Sequence, residues 1–216
     1  MDIAGIVKQY ATEIGRFLRH QFRVWLGLIR QPVKELAQVD LTSGDALTYS
    51  LGLAAFVYLV CLAIALPPQF AGTAPQLPDA ARLVIDAITT FLGFASVGAS
   101  LWVAGRLLGS RASAVACFST GFFMTAAWPF LQLGDWVLSG GWQMALDPVW
   151  RLGLFAGVFV VVTACALWWA TPIVAHVHRF GRVRAVLATL LQLLFIVAVW
   201  TFFLEDRFPA LGAAIP

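Results

Sequence analysis

The side chains able to do chemistry are few in this chain, and their spacing suits chemistry poorly. Three histidines (His20, His176, His178) and three cysteines (Cys61, Cys117, Cys165) are the candidate ligands and nucleophiles. His176 and His178 stand two residues apart, which on a helix turns them about 200° from each other, so they share an ion only where the helix has ended. No third ligand lies near them in sequence. The cysteines are odd in number, have no paired spacing and fall inside apolar runs, where they read as small buried hydrophobes. No Ser/His/Asp arrangement, His-Glu-x-x-His motif, paired carboxylates within an apolar run or phosphate-cradling glycine loop occurs. These residues predict a protein that is not an enzyme and holds no metal and no cofactor.

What must position the remaining polar groups is a set of membrane helices. Of the 216 residues, 61% are hydrophobic and only 12% charged, with a mean hydropathy of +0.85, far from the balance of a soluble domain. A hydrocarbon layer of about 30 Å needs roughly 20 apolar residues in a helix. Such runs occur at about 46–66, 84–105, 113–133, 152–175 and 185–204. Basic residues are retained on the cytoplasmic side. With the N-terminus inside, eleven of the fourteen Lys and Arg residues fall in cytoplasmic segments, leaving Arg82, Arg151 and Arg207 outside. The expected fold is an all-α integral membrane protein with five transmembrane helices, N-terminus in and C-terminus out. Residues 1–45 form a cytoplasmic amphipathic segment, 46–208 the transmembrane domain and 209–216 a short tail. The N-terminus lacks the pattern of a removable signal peptide, so the first span is expected to direct insertion. Twelve arginines against two lysines fit a multi-pass protein of a bacterial inner membrane.

Ahead of the first span, Ile3, Val7, Tyr10, Ile14, Phe17, Phe22, Trp25 and Ile29 recur at near-helical steps, while Arg16, Arg19, Arg23 and Arg30 take other faces. An amphipathic helix of this kind lies in the headgroup layer, where anionic lipid adds about 1 kcal/mol per basic residue. Arg16, Arg19, Arg23, Trp25 and Arg30, with Arg179, Arg182 and Arg184 of the last inner loop, are therefore the candidate contacts to lipid or a partner protein. Pro32 should stop or bend the helix, and Thr42 with Asp45 approximates a capping box opening the first span.

Lipid offers helices no hydrophobic reason to associate, so small residues mark the packing faces. Ser96, Ser100, Ala104, Gly105 and Gly109 of the second span, and Gly153 and Gly157 of the fourth, are the candidates. Ionisable groups fall only at span ends, and Gln192 is the most central polar side chain, expected to make an interhelical hydrogen bond rather than to hold a ligand. Pro129 should kink the third span and Pro172 the fourth.

The second span closes in an apolar-Gly-basic turn (Val103, Gly105, Arg106, Gly109), and the third carries a Gly-aromatic pair and a later proline (Gly121, Phe122, Pro129). Together with the five-span layout, the stretch LWVAGRLLGSRASAVACFSTGFFMTAAWPFL resembles the Yip superfamily of Ypt/Rab-interacting five-span membrane proteins and their bacterial relatives. The Asp-Leu-Tyr-Gly-Pro segment of many eukaryotic members is absent. For eukaryotic relatives the resemblance implies membrane-embedded adaptors in vesicle traffic and membrane shaping, and for bacterial relatives the fold alone. The favoured expectation is a non-enzymatic membrane adaptor or scaffold whose interfacial helix and basic inner loops engage anionic lipid, a partner membrane protein or further copies of itself, with no nucleic acid involved. The competing expectations are a small-molecule or lipid transport protein, using a cavity among spans two to four, and an accessory subunit of a larger membrane complex.

Overall fold

The computed structural model describes residues 3–70, 80–139 and 148–199 of the chain. Residues 71–79 and 140–147, the end of the expected run 185–204 and the expected tail 209–216 lie outside the described residues. All regular structure among the described residues is helical: α1 (Ile3–Arg30), α2 (Pro32–Leu36), α3 (Gly44–Phe70), α4 (Ala80–Leu107), α5 (Ala114–Met124), a 3-10 turn (Thr125–Ala127), α6 (Trp128–Ser139), α7 (Pro148–His178) and α8 (Arg182–Val199).

Four segments among the described residues are long and apolar enough to cross a membrane: Gly44–Ile64, Ala87–Leu107, Ala114–Leu133 and Arg182–Val199. They coincide with four of the runs expected from sequence. The run 152–175 lies within α7, which has 31 residues.

The helix ends follow from local chemistry. Pro32 has no N–H to continue α1 and instead occupies the first turn of α2. Ser43, not Thr42, caps α3: its Oγ accepts from the Ala46 N–H at 3.1 Å, because the helix starts at Gly44. Thr42 turns instead to Asp40, donating to its carboxylate from the hydroxyl at 2.6 Å and from the backbone at 3.1 Å. These bonds, the hydroxyl's first, hold the Asp40 carboxyl below its ordinary pKa. Ser113 caps α5 through the Ala116 N–H.

The α4–α5 and α7–α8 turns both end their first helix in a left-handed cap. At the end of α4, Ser110 N–H reaches the Gly105 carbonyl at 2.8 Å and Gly109 N–H the Arg106 carbonyl at 3.1 Å, with Gly109 at φ 84. At the end of α7, Phe180 N–H bonds the Ala175 carbonyl at 3.1 Å, and Arg179 takes the positive-φ position that glycine normally fills. That residue costs about 1 kcal/mol in αL.

The expected kink at Pro129 takes the form of a 3-10 turn just before it, which separates α5 from α6. α7 stays helical through Pro172. The main core gathers Leu53, Phe94, Phe123 and Ile173 of the bundle with Leu28 and Leu36 of the N-terminal helices. A smaller cluster of Leu101, Cys117, Val174 and Ala188 joins α4, α5, α7 and α8.

Candidate functional site

One face of α1 is bound to the bundle through groups that proline leaves unsatisfied. The Leu28 carbonyl would pair with the N–H of residue 32, but that residue is proline; the Trp169 indole N–H donates to it at 3.0 Å instead. The Ala126 carbonyl, in the 3-10 turn before Pro129, receives the Trp25 indole N–H at 2.8 Å. The Trp25 ring stacks on Phe130 at 5.9 Å and 11°. Trp25, expected to meet lipid or a partner, is thus half-buried and used within the chain. Gln21 is buried beside Gly52, where an added Cβ would stand 3.3 Å from its Nε2, and Phe22 meets Phe56 edge-on.

The opposite face of α1 is basic. Successive helical residues turn by about 100°, so Arg16, Arg19, His20 and Arg23 fall within an arc of roughly 100°, facing away from Gln21 and Leu28. All four are exposed, and they line a cleft of about 350 Å³. The Arg19 Nε donates to the Gly15 carbonyl at 3.2 Å. His20 is held from behind by Tyr49, whose hydroxyl lies 2.9 Å from Nε2. Sequence reasoning named the three arginines but missed His20, although its place in an i, i+3, i+4, i+7 series was the available signal. Arg30 is exposed further along the same face, past Gly27, over which the Glu35 carboxylate is packed. Arg179, Arg182 and Arg184 are exposed at the α7–α8 turn and do not line the cleft.

The two histidines of the His-x-His pair separate as helical geometry requires: His176 is exposed and His178 buried. No group of three His, Cys, Asp or Glu residues able to hold a metal occurs among the described residues. His178 Nδ1 lies 2.8 Å from the Ser110 hydroxyl, whose oxygen also accepts the Ala112 N–H at 3.1 Å. The contact joins the α4–α5 turn to the end of α7, with the imidazole laid against Gly105. Nε2 is buried without a hydrogen bond of full geometry. Burial pushes the His178 pKa down, opposed in part by the Leu101 carbonyl. The serine–histidine contact, with both groups buried, clasps one helical hairpin to the other.

Small residues do set a close helix approach between α4 and α5, but at positions the sequence reading did not name as packing residues. A Cβ on Gly98 would lie 2.7 Å from the Phe118 Cα, and one on Gly121 would run into the Gly98 backbone. Ser100, Ala104 and Gly105 are buried as expected, and Ser96 is half-buried with its hydroxyl on the Gly93 carbonyl. Gly109 is not a packing residue: it is exposed, and its role is the positive φ of the cap. Gly153 and Gly157 are exposed with no atom within 4 Å of an added Cβ, so among the described residues they pack against no neighbouring helix. Gln192 is buried; its Nε2 reaches the Val97 carbonyl at 3.4 Å and the Met124 sulfur at 3.7 Å, the interhelical role expected of it.

No protein-family model, curated protein or solved structure matches this chain. The resemblance to the Yip superfamily therefore stands on the quoted residues alone.

Proposed function

We propose that this chain is a non-enzymatic, multi-pass membrane scaffold whose N-terminal helix lies in the plane of the inner leaflet and offers a basic face to anionic lipid headgroups. The observation that carries the reading is the division of α1: one side is fixed to the bundle by two indole hydrogen bonds, while Arg16, Arg19, His20 and Arg23 stand exposed on the other.

The level of α1 supports it. The helix crosses α3 between Tyr49 and Phe56, about 8–18 Å along that helix from Gly44. At 27 residues α3 is about 40 Å long, some 10 Å more than the hydrocarbon layer. With the polar first turns of α3 (Thr48, Tyr49, Ser50) among the headgroups, α1 lies at the inner boundary of the hydrocarbon.

The remaining span is the run 152–175 within α7, supported by its apolar composition and by the 31-residue length of the helix that contains it. The inside-out orientation rests on the eleven basic residues gathered on one side. A bacterial inner membrane and a Yip-like origin complete the proposal. A transport cavity between α4 and α5 is disfavoured by the backbone contact at Gly98 and Gly121.

The test is reconstitution of the full-length protein in bilayer discs of equal parts zwitterionic and anionic lipid, followed by native mass spectrometry of the released protein. Enrichment of anionic lipid in the retained shell is the expected result. Retention in the bulk ratio would refute the platform.

A further inference from the structure

We infer that the cleft of Arg16, Arg19, His20 and Arg23 binds a phospholipid whose headgroup carries two phosphates, the diphosphatidylglycerol type. The inference rests on the reading of α1 as an anionic-lipid platform and names its ligand. The four side chains border an open, shallow space of about 350 Å³ on one face of α1, a surface site that suits a headgroup held at the membrane boundary rather than an enclosed ligand. Its four donors extend over seven residues, about 10 Å along the helix axis. One phosphate is enclosed by two neighbouring guanidinium groups, since each presents a planar fork to phosphate oxygens. Three guanidinium groups spread over this length suit two phosphates on a short linker.

His20 is the central donor. Its Nε2 is taken by the Tyr49 hydroxyl at 2.9 Å, so Nδ1 is the ring nitrogen left for a headgroup oxygen, as donor in the tautomer in which the hydroxyl donates to Nε2. Among the described residues, Glu13 stands at the edge of the site with one carboxylate oxygen accepting from the Gln9 amide at 3.3 Å, and Glu35 is packed a turn beyond, over Gly27, so the three guanidinium groups outnumber the one carboxylate beside them.

The flanks distinguish a lipid from a free anion. Phe17 and Phe22 border the basic strip on its two sides and are 42% and 49% exposed, giving acyl chains a surface beside the phosphates. A soluble diphosphate has no use for those rings.

The full-length protein in detergent is offered the two-phosphate lipid and a one-phosphate anionic lipid at equal total charge, and retained lipid is counted by native mass spectrometry. Wild-type protein is expected to hold one two-phosphate lipid with about fivefold or greater preference, the contribution of one further basic contact at the surface. Arg16→Gln and Arg23→Gln, at the two ends of the cleft, should each abolish the preference, whereas Arg182→Gln should keep it. Equal retention of both lipids by wild-type protein would overturn the two-phosphate site while leaving the anionic platform intact. Retention of neither would sink both. Displacement of bound lipid by inorganic pyrophosphate would assign the cleft to a free diphosphate and overturn the lipid source.

Discussion

Gly121→Ala is the sharpest test of how the bundle is packed. A methyl group there would collide with the backbone of Gly98 and sit 3.1 Å from the Val97 carbonyl carbon. Backbone cannot rotate aside as a side chain can, so α4 and α5 must separate. Overpacking of a close core costs about 1–3 kcal/mol, and this site belongs at the upper end. A gap of about 1 Å along the crossing forfeits up to half of the dispersion energy of the atoms that line it. At about 2–4 °C per kcal/mol for a chain of this size, the melting temperature should fall by about 6–12 °C. Tryptophan fluorescence reads it directly, with nine indoles in the chain. Gly157→Ala is the control: the same methyl group, on a helix, exposed, with nothing within 4 Å. It should gain about 0.5–1 kcal/mol from lower backbone entropy in the unfolded chain. If Gly121→Ala melts with the wild type, or moves in step with Gly157→Ala, the close crossing is wrong.

Trp25→Phe keeps an aromatic, though smaller, side chain but removes the N–H from the Ala126 carbonyl; it should cost about 1–3 kcal/mol and speed amide hydrogen exchange across residues 17–30. Ser43→Ala should destabilise by about 1 kcal/mol in chemical denaturation, and Thr42→Ala by clearly less, because Ser43 holds the cap. His178 contributes a pH dependence. Its folded pKa lies below the ordinary 6.5, so the unfolded chain binds the extra proton as pH falls through that value. Stability should be full above 6.5 and decline below it until the folded histidine also protonates. His178→Gln should flatten a melting curve taken across that window.

Much of this architecture is legible in the order of residues because lipid imposes a simple rule. A helix that satisfies its own backbone must also be apolar for some 20 residues, and four of the expected runs appear as such helices. Pro32 as a break and Pro129 as a disturbance follow from a missing N–H, which is a property of the residue itself. The capping of α3 was less legible, since Thr42, Ser43 and Asp45 all have capping side chains and only the start of the helix selects among them. Small residues were harder still. Gly105, Gly109, Gly153 and Gly157 look alike in sequence, yet one receives the His178 ring, one supplies a positive φ and two face outward.

By itself, then, the sequence determined that the described residues are helical, roughly where four lipid-compatible segments lie, and that α1 has an apolar and a basic side, because each depends on residue type and a period of 3.6. Tertiary structure alone decided that α4 and α5 meet at Gly98 and Gly121, that His178 reaches Ser110, and that Trp25 and Trp169 complete carbonyls on distant helices. Those choices depend on the rotation and height of one helix against another. No local pattern encodes them, since an indole N–H or a glycine finds its partner only when the whole bundle has set the distance between them.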